Sequence, residues 1–189
     1  PLISAGCPSI LNLIQIRFPN LMEHVVDFRP PVEVVASLAR REAERRHPDK
    51  KVGIFFIAPC TAKISFIKES DEVVESDIDK MIAISDIYKQ VLQNLEHLAD
   101  EDIEDLEKAG MTGLRWPSPG GESLSLKTDD FVAVDGIDKV IDIFEKIEDE
   151  KLEGLVFVET EACRGGCFGG SLTVENSYSA KANIKPIID

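Results

Sequence analysis

Positive charge is the first thing this sequence is short of. Twenty-one Lys and Arg face 35 Asp and Glu, a net charge of -14. Nucleic-acid backbones are bound by clustered Lys and Arg, so that class of partner is excluded as an expectation. An acidic surface suits solubility and small-molecule or cationic partners. Long apolar runs are also missing, and nothing approaches the length of a membrane-spanning helix. No signal-peptide pattern is visible. The chain starts at Pro1 without an initiator Met, so the reading is a piece of a longer, cytoplasmic protein. Cysteine is sparse, with four in 189 residues. The even count would allow two disulfides, but the chain is neither short nor loop-rich. Scattered thiols in an intracellular chain more often serve metal binding, catalysis or packing.

What is present alternates between short apolar strands and helices. Pro1–Cys7 is small and apolar and reads as a strand that ends in a turn. Helix is predicted over 8–18, where Ile10, Leu11, Leu13, Ile14 and Phe18 recur at helical spacing. Pro8 suits its first turn. A second helix is predicted over 31–47 with Val32, Val35, Leu38 and Ala39 facing inward. Val52–Ile57 reads as a central parallel strand, 68–80 as an acidic connection, and 81–84 as a strand. Ser85 would cap a helix over 86–98, and 101–109 reads as a weaker acidic helix. The segment 110–128 reads as loop. A β-α-β unit follows, with strand 131–134, helix 137–149 and strand 154–159. No element is assigned to 171–189. The fold class expected is α/β, with parallel sheets flanked by helices. One domain over 1–189 is expected, with two small halves at about 1–110 and 128–189.

Chemistry concentrates in Thr160–Gly170, which holds Cys163, Cys167 and four glycines. Thiols four residues apart can serve one centre, and glycine lets backbone approach something bulky. Cys7 lies where a strand meets a helix N-terminus, a position that suits a thiolate ligand. Cys60 lies just past the end of an apolar strand, where open α/β sheets place ligands. Four thiolates suit a [4Fe-4S] cluster or a structural zinc. Only Cys163 and Cys167 form the close pair typical of zinc sites. Spacing alone therefore leaves iron–sulfur, zinc and unliganded thiols open.

Three strings in order carry a resemblance: Ser4-Ala5-Gly6-Cys7-Pro8, Ala58-Pro59-Cys60-Thr61-Ala62-Lys63 and Glu161-Ala162-Cys163-Arg164-Gly165-Gly166-Cys167-Phe168-Gly169-Gly170. Together they resemble the signature motifs of the [FeFe]-hydrogenase large subunit, in its C-terminal catalytic domain. The resemblance implies that Cys7, Cys60, Cys163 and Cys167 ligate the [4Fe-4S] half of the H-cluster. Cys167 would bridge to the two-iron subcluster, and Lys63 would hydrogen-bond a cyanide on it. Pro59, Gly165, Gly166, Gly169 and Gly170 would shape the cavity. Dihydrogen and protons would be the reactants. A ferredoxin-like electron-transfer partner and maturation proteins would be the macromolecular partners, in an anaerobic setting.

Departures from the pattern are specific. The family's proton-relaying cysteine before the first ligand is Gly6 here. Methionines near the two-iron unit are replaced by Ala58 and Glu161. These changes resemble the sensory branch, as does Leu172–Asn176, and imply low activity. Glu161 reads either as a loop-capping carboxylate or as a proton relay in place of the missing thiol. The alternative function is a non-catalytic [4Fe-4S] protein serving iron–sulfur assembly or electron transfer. His24, His47 and His97 read as surface residues, and Arg164 either offsets cluster charge or faces solvent.

Overall fold

The computed structural model describes residues 1–70, 76–95, 97, 110–126 and 128–188. Its strands are β1 (Leu2–Ile3), β2 (Phe55–Ala58), β3 (Lys80–Ala83), β4 (Phe131–Asp135) and β5 (Phe157–Glu161). Its α-helices are α1 (Pro8–Arg17), α2 (Pro31–Arg46), α3 (Thr61–Ser70), α4 (Ile84–Leu95), α5 (Met111–Arg115), α6 (Ile137–Glu148) and α7 (Ser177–Ile188). Every strand pairing among the described residues is parallel, in two separate sheets flanked by helices. This is the expected α/β class.

The first sheet has the order β1-β5-β4, with Phe157 of β5 opposite both Leu2 and Phe131. β5 is therefore central, and all five of its residues are buried. Helices α1 and α6 supply the core against it. Ile10 and Ile14 from α1 meet Val140, Phe144 and Ile147 from α6, with Ile3 and Val158 from the sheet. The spacing of 140, 144 and 147 puts those three on one helical stripe. Phe18 closes the end of this core edge-on to Phe144, with ring centroids 5.5 Å apart.

Among the described residues the second sheet contains β2 and β3, with Phe55 opposite Lys80 and Ala58 opposite Ala83. Its buried core is small: Ala36 from α2, Ile67 from α3, and Ile78 just before β3. Polar ties supplement it. Arg40 donates to Asp79 Oδ2 at 2.7 Å, and that carboxylate also accepts from Ile54 N at 2.6 Å.

Several expectations need correction. The sheets do not divide the chain near residue 110, because β1 and α1 join the sheet built by β4 and β5. β2 is not central among the described residues, where its sheet has two strands. Val35 and Leu38 of α2 are exposed, and the inward stripe is Glu33 and Ala36 instead. Glu33 is tolerated there because Ser76 donates to both of its oxygens, at 2.8 and 3.0 Å. Ser85 lies inside α4 rather than capping it, and its amide donates to Leu172 O at 3.1 Å. Residues 61–70 and 177–188 are helical where no helix was predicted, and a short helix stands at 111–115. β5 begins at Phe157 and ends at Glu161. The predicted strand therefore slides toward the cysteine loop, and Glu161 belongs to the sheet. The helix expected over 101–109 lies outside the described residues. His24 is half-buried, with Nδ1 3.0 Å from Pro1 O, whereas His47 and His97 are exposed.

Candidate metal centre

Three strands deliver the four cysteines from their C-terminal ends. β1 leads through a short turn to Cys7, the residue before α1, whose carbonyl accepts from Ile10 N and Leu11 N. β2 leads to Cys60 and then directly into α3. β5 leads to Cys163 and Cys167. The carboxyl ends of parallel strands are where sheets of this class place their ligands.

The four thiols line one cavity of about 90 Å³, together with Pro59, Lys63, Glu161, Gly166 and Gly170. All four cysteines are free and partly buried. Yet no group of three or more His, Cys, Asp or Glu among the described residues is arranged to hold a single metal ion. Four thiols around one cavity match the donor set of a cubane cluster, whose irons each take one thiolate.

A second cavity, of about 370 Å³, adjoins the first. Gly6, Pro59, Lys63, Trp116, Pro117 and Phe168 contribute to its wall, which is mostly apolar. Cys167 is the one cysteine that lines both cavities. It also reaches a third pocket of about 20 Å³, beside Ser4, Glu122, Glu159 and Glu161.

Lys63 is half-buried, and its ammonium donates to the Gly6 carbonyl at 2.9 Å. It thus ties the turn that carries Cys7 to the helix that follows Cys60. Its charge is the main influence opposing the burial of Cys167, whose thiol burial pushes up to about 12. The neighbouring groups Glu161, Cys7 and Cys60 push it in the same direction as burial. Burial also raises the Cys163 thiol, with Cys7 and Cys60 adding to the effect. Thiols that repel one another's charge in this way need a cation to hold them as thiolates.

The glycines serve the loop in a way the sequence did not indicate. Gly165 and Gly166 both have left-handed backbones, at φ 85° and 70°. A Cβ on Gly166 would lie 2.5 Å from Pro117 O, one on Gly169 2.1 Å from Arg164 O, and one on Gly170 2.3 Å from Pro59 O. Backbone packs on backbone at these positions: Gly170 against the Cys60 loop, Gly166 against the segment at Pro117, and Gly169 within its own loop. Gly166 and Gly170 line the smaller cavity, whereas Gly165 and Gly169 line neither of the two main cavities. Asp135 clamps the same loop by accepting from Gly165 N at 2.6 Å. Arg164 faces solvent and pairs with Asp138 at 3.4 Å.

Acidic side chains hidden in the site were largely missed in the sequence. Glu161 is 8% exposed, and its Oε2 has no hydrogen-bond partner among the described residues. Burial, then the charges of Glu159 and Asp135, push its carboxyl up to about 8. Glu122 comes from the segment read as featureless loop. It accepts from Ser4 Oγ, and burial raises its carboxyl too. A side chain on Gly6 would point toward this pair, since its Cβ would lie 3.5 Å from Glu122 Oε2. The available signal was the string Glu159-Thr160-Glu161 ending an otherwise apolar strand.

No curated protein matches the sequence. Solved [FeFe]-hydrogenases match the structure. One, described for stepwise H-cluster assembly in HydA(deltaEFG), aligns with a TM-score of 0.67 at 16% identity, covering 96% of this chain and 65% of that one. A second, described for oxygen inactivation through degradation of the two-iron subcluster, gives 0.65 at 16% identity, with 100% and 64% covered. An apo [FeFe]-hydrogenase variant from Chlamydomonas reinhardtii gives 0.67 at 15% identity, with 96% and 65% covered. The chain thus spans slightly less than two thirds of the length of these relatives, and at such identity the likeness establishes the fold. The family model described as "Iron only hydrogenase large subunit, C-terminal domain" matches residues 1–123 and 89–171, a span that contains all four cysteines and all three strands that carry them. This chain belongs to that family.

Proposed function

We propose that the chain binds an H-cluster, in a parent protein that oxidises or forms dihydrogen at a low rate or senses it. The observation that carries this reading is the position of Cys167 on the boundary between a four-thiol cavity and a larger apolar one. In this reading Cys7, Cys60, Cys163 and Cys167 hold a [4Fe-4S] unit, and Cys167 is shared with a two-iron unit in the larger cavity. When bound, that unit supplies the site at which dihydrogen is split or formed.

The chain's own residues supply the surroundings. Lys63 brings a positive charge and a donor to the boundary of the two cavities. Pro59, Trp116, Pro117 and Phe168 exclude water from the larger one. Glu161 and Glu122 are the buried groups able to hold a proton near Cys167, where Gly6 cannot. Glycine at that position and alanine at 58 support low turnover. They also keep a second reading in view, a [4Fe-4S] protein without hydrogen chemistry.

The wider assignments are part of the same proposal: one partial H-cluster domain over 1–189, cytoplasmic placement, a ferredoxin-like electron partner and dedicated maturation proteins. No helix among the described residues is long and apolar enough to cross a membrane.

Anaerobic reconstitution with iron and sulfide, followed by an assembled two-iron cofactor, tests the reading. The expected result is cubane absorption, then carbonyl and cyanide bands in the infrared. A cubane with a silent infrared spectrum would select the second reading, and a zinc-only chain would sink both. The chain by itself is expected to be inactive in hydrogen turnover, and robust hydrogen evolution after loading would overturn that expectation.

A further inference from the structure

Glu159 sits in the middle of β5 and is 3% exposed, so it is a carboxylate in the sheet's interior. Four donors converge on it from a single turn. Gly120 N and Glu122 N reach Oε1 at 3.0 and 3.4 Å, and Ser123 N and Ser123 Oγ reach Oε2 at 2.7 and 2.6 Å. Successive backbone amides pointing at one anion form an amide nest. Here the anion is part of the protein.

That turn is stiffly joined to the cavity wall. Gly121 N donates to Ser118 O and Ser118 N donates to Arg115 O, both at 2.9 Å. A Cβ on Gly121 would lie 2.1 Å from Arg115 O, so the two ends of the turn are pressed together. Trp116 and Pro117 lie between those ends and line the 370 Å³ cavity. On the other side, Pro117 O is the atom against which Gly166 of the cysteine loop is packed.

We propose that Glu159 is a positioning residue: its carboxylate is the anion on which the Gly120–Ser123 backbone closes, and that closure sets Trp116 and Pro117 as the wall of the larger cavity. Its purpose rests on the reading of that cavity as the two-iron site, whereas its geometry does not. An uncharged residue at 159 would leave three amides, two of them buried, and a buried hydroxyl with fewer acceptors than donors.

Trp116 is the only tryptophan in the chain, so its emission reports on this wall alone. Glu159→Gln keeps the shape but turns one acceptor oxygen into a donor amide facing other donors. In the iron-free chain, Glu159→Gln is expected to keep native circular dichroism, red-shift Trp116 emission and raise acrylamide quenching about twofold. Ser123→Ala, which removes one donor of four, should move both readouts the same way by less. In Glu159→Ala, added formate should return the emission toward native by filling the vacated nest. After loading, Glu159→Gln should keep cubane absorption, because no cysteine lies on its turn, and lose most of the infrared bands of the two-iron unit.

Native emission and quenching in folded Glu159→Gln and Ser123→Ala chains would overturn the proposal, as would indifference of Glu159→Ala to formate. If Glu159→Gln fails to fold, Ser123→Ala decides. Failure of the wild-type chain to take up iron would sink the proposed function and leave the tryptophan comparison standing, since that comparison is made without iron.

Discussion

The two sheets are built from the same kinds of element and stabilised very differently. The first has three strands and a buried cluster of nine apolar residues, with Ile3, Ile10, Ile14, Val140, Phe144 and Val158 fully enclosed. The second has two strands among the described residues and a buried cluster of three apolar residues, with the small Ala58 and Ala83 buried at the strand ends. Phe55 and Ile57 of β2 are about half exposed, and α4 buries none of its residues despite a continuous apolar stripe of Ile84, Ile87, Val91 and Leu95. Parallel strands normally need cover on both faces, so this second sheet is the weak side of the molecule. Three of the four thiols, Cys7, Cys163 and Cys167, are carried by the first sheet, and only Cys60 by the second. The four-thiol cavity therefore spans a firm wall and a soft one. A ligand held by all four thiols would thus stabilise the second sheet far more than the first.

The largest effect that would test this contrast is in the firm core. Phe144→Ala is expected to cost about 3–5 kcal/mol and to unfold both regions together. Ile67→Ala in the thin core should cost about 2 kcal/mol, the low end for such a change, because its surroundings can collapse. Chemical denaturation of both variants measures the difference, and equal costs would break the comparison. Next in size is hydrogen exchange. Amides of β2 and β3 should exchange well before those of β4 and β5 in the iron-free chain. Iron loading should slow the second sheet selectively, and Cys60→Ser should abolish that protection.

A smaller effect is expected with pH. Glu161 stands at about 8 in the folded chain, against an ordinary carboxyl value of 4.5. Because its folded value is raised, its contribution is fully present below about pH 4.5 and is lost progressively as pH rises to about 8. Glu161→Met should flatten that decline in the iron-free chain, as read from unfolding midpoints across the range. A decline of unchanged slope would assign it to other groups. The smallest effect is at the surface. Arg17 pairs with Glu145 at 2.6 Å with both side chains half exposed, so Arg17→Ala should change stability by about 0.5 kcal/mol or less.

Much of this was legible from residue order. The helices α1 and α6 follow from apolar residues at helical spacing, and β4 from a short apolar run, because one buried face leaves a periodic signature. The cysteine strings marked the site, since thiols at the ends of apolar strands are few and specific. The helices α3 and α7 escaped notice. α3 has a weak apolar stripe, and α7 carries Pro186 inside a polar sequence, so neither shows a clear buried face. The inward stripe of α2 was misread for a related reason. Val35 and Leu38 look like core, but the second sheet is too narrow to cover them. Glu122 was invisible because its partner Ser4 is 118 residues away.

The sequence by itself determined the α/β class, the four thiols and the order in which strands present them, because these depend on local patterns and residue chemistry. Only the tertiary structure decided that Cys167 borders two cavities, that Gly166 and Gly170 pack on the backbone of other segments, and that three glutamates lie buried beside the thiols. Those facts depend on which strand ends meet. Burial and mutual charge then act on groups that are distant in sequence, and that is a property of packing rather than of residue order.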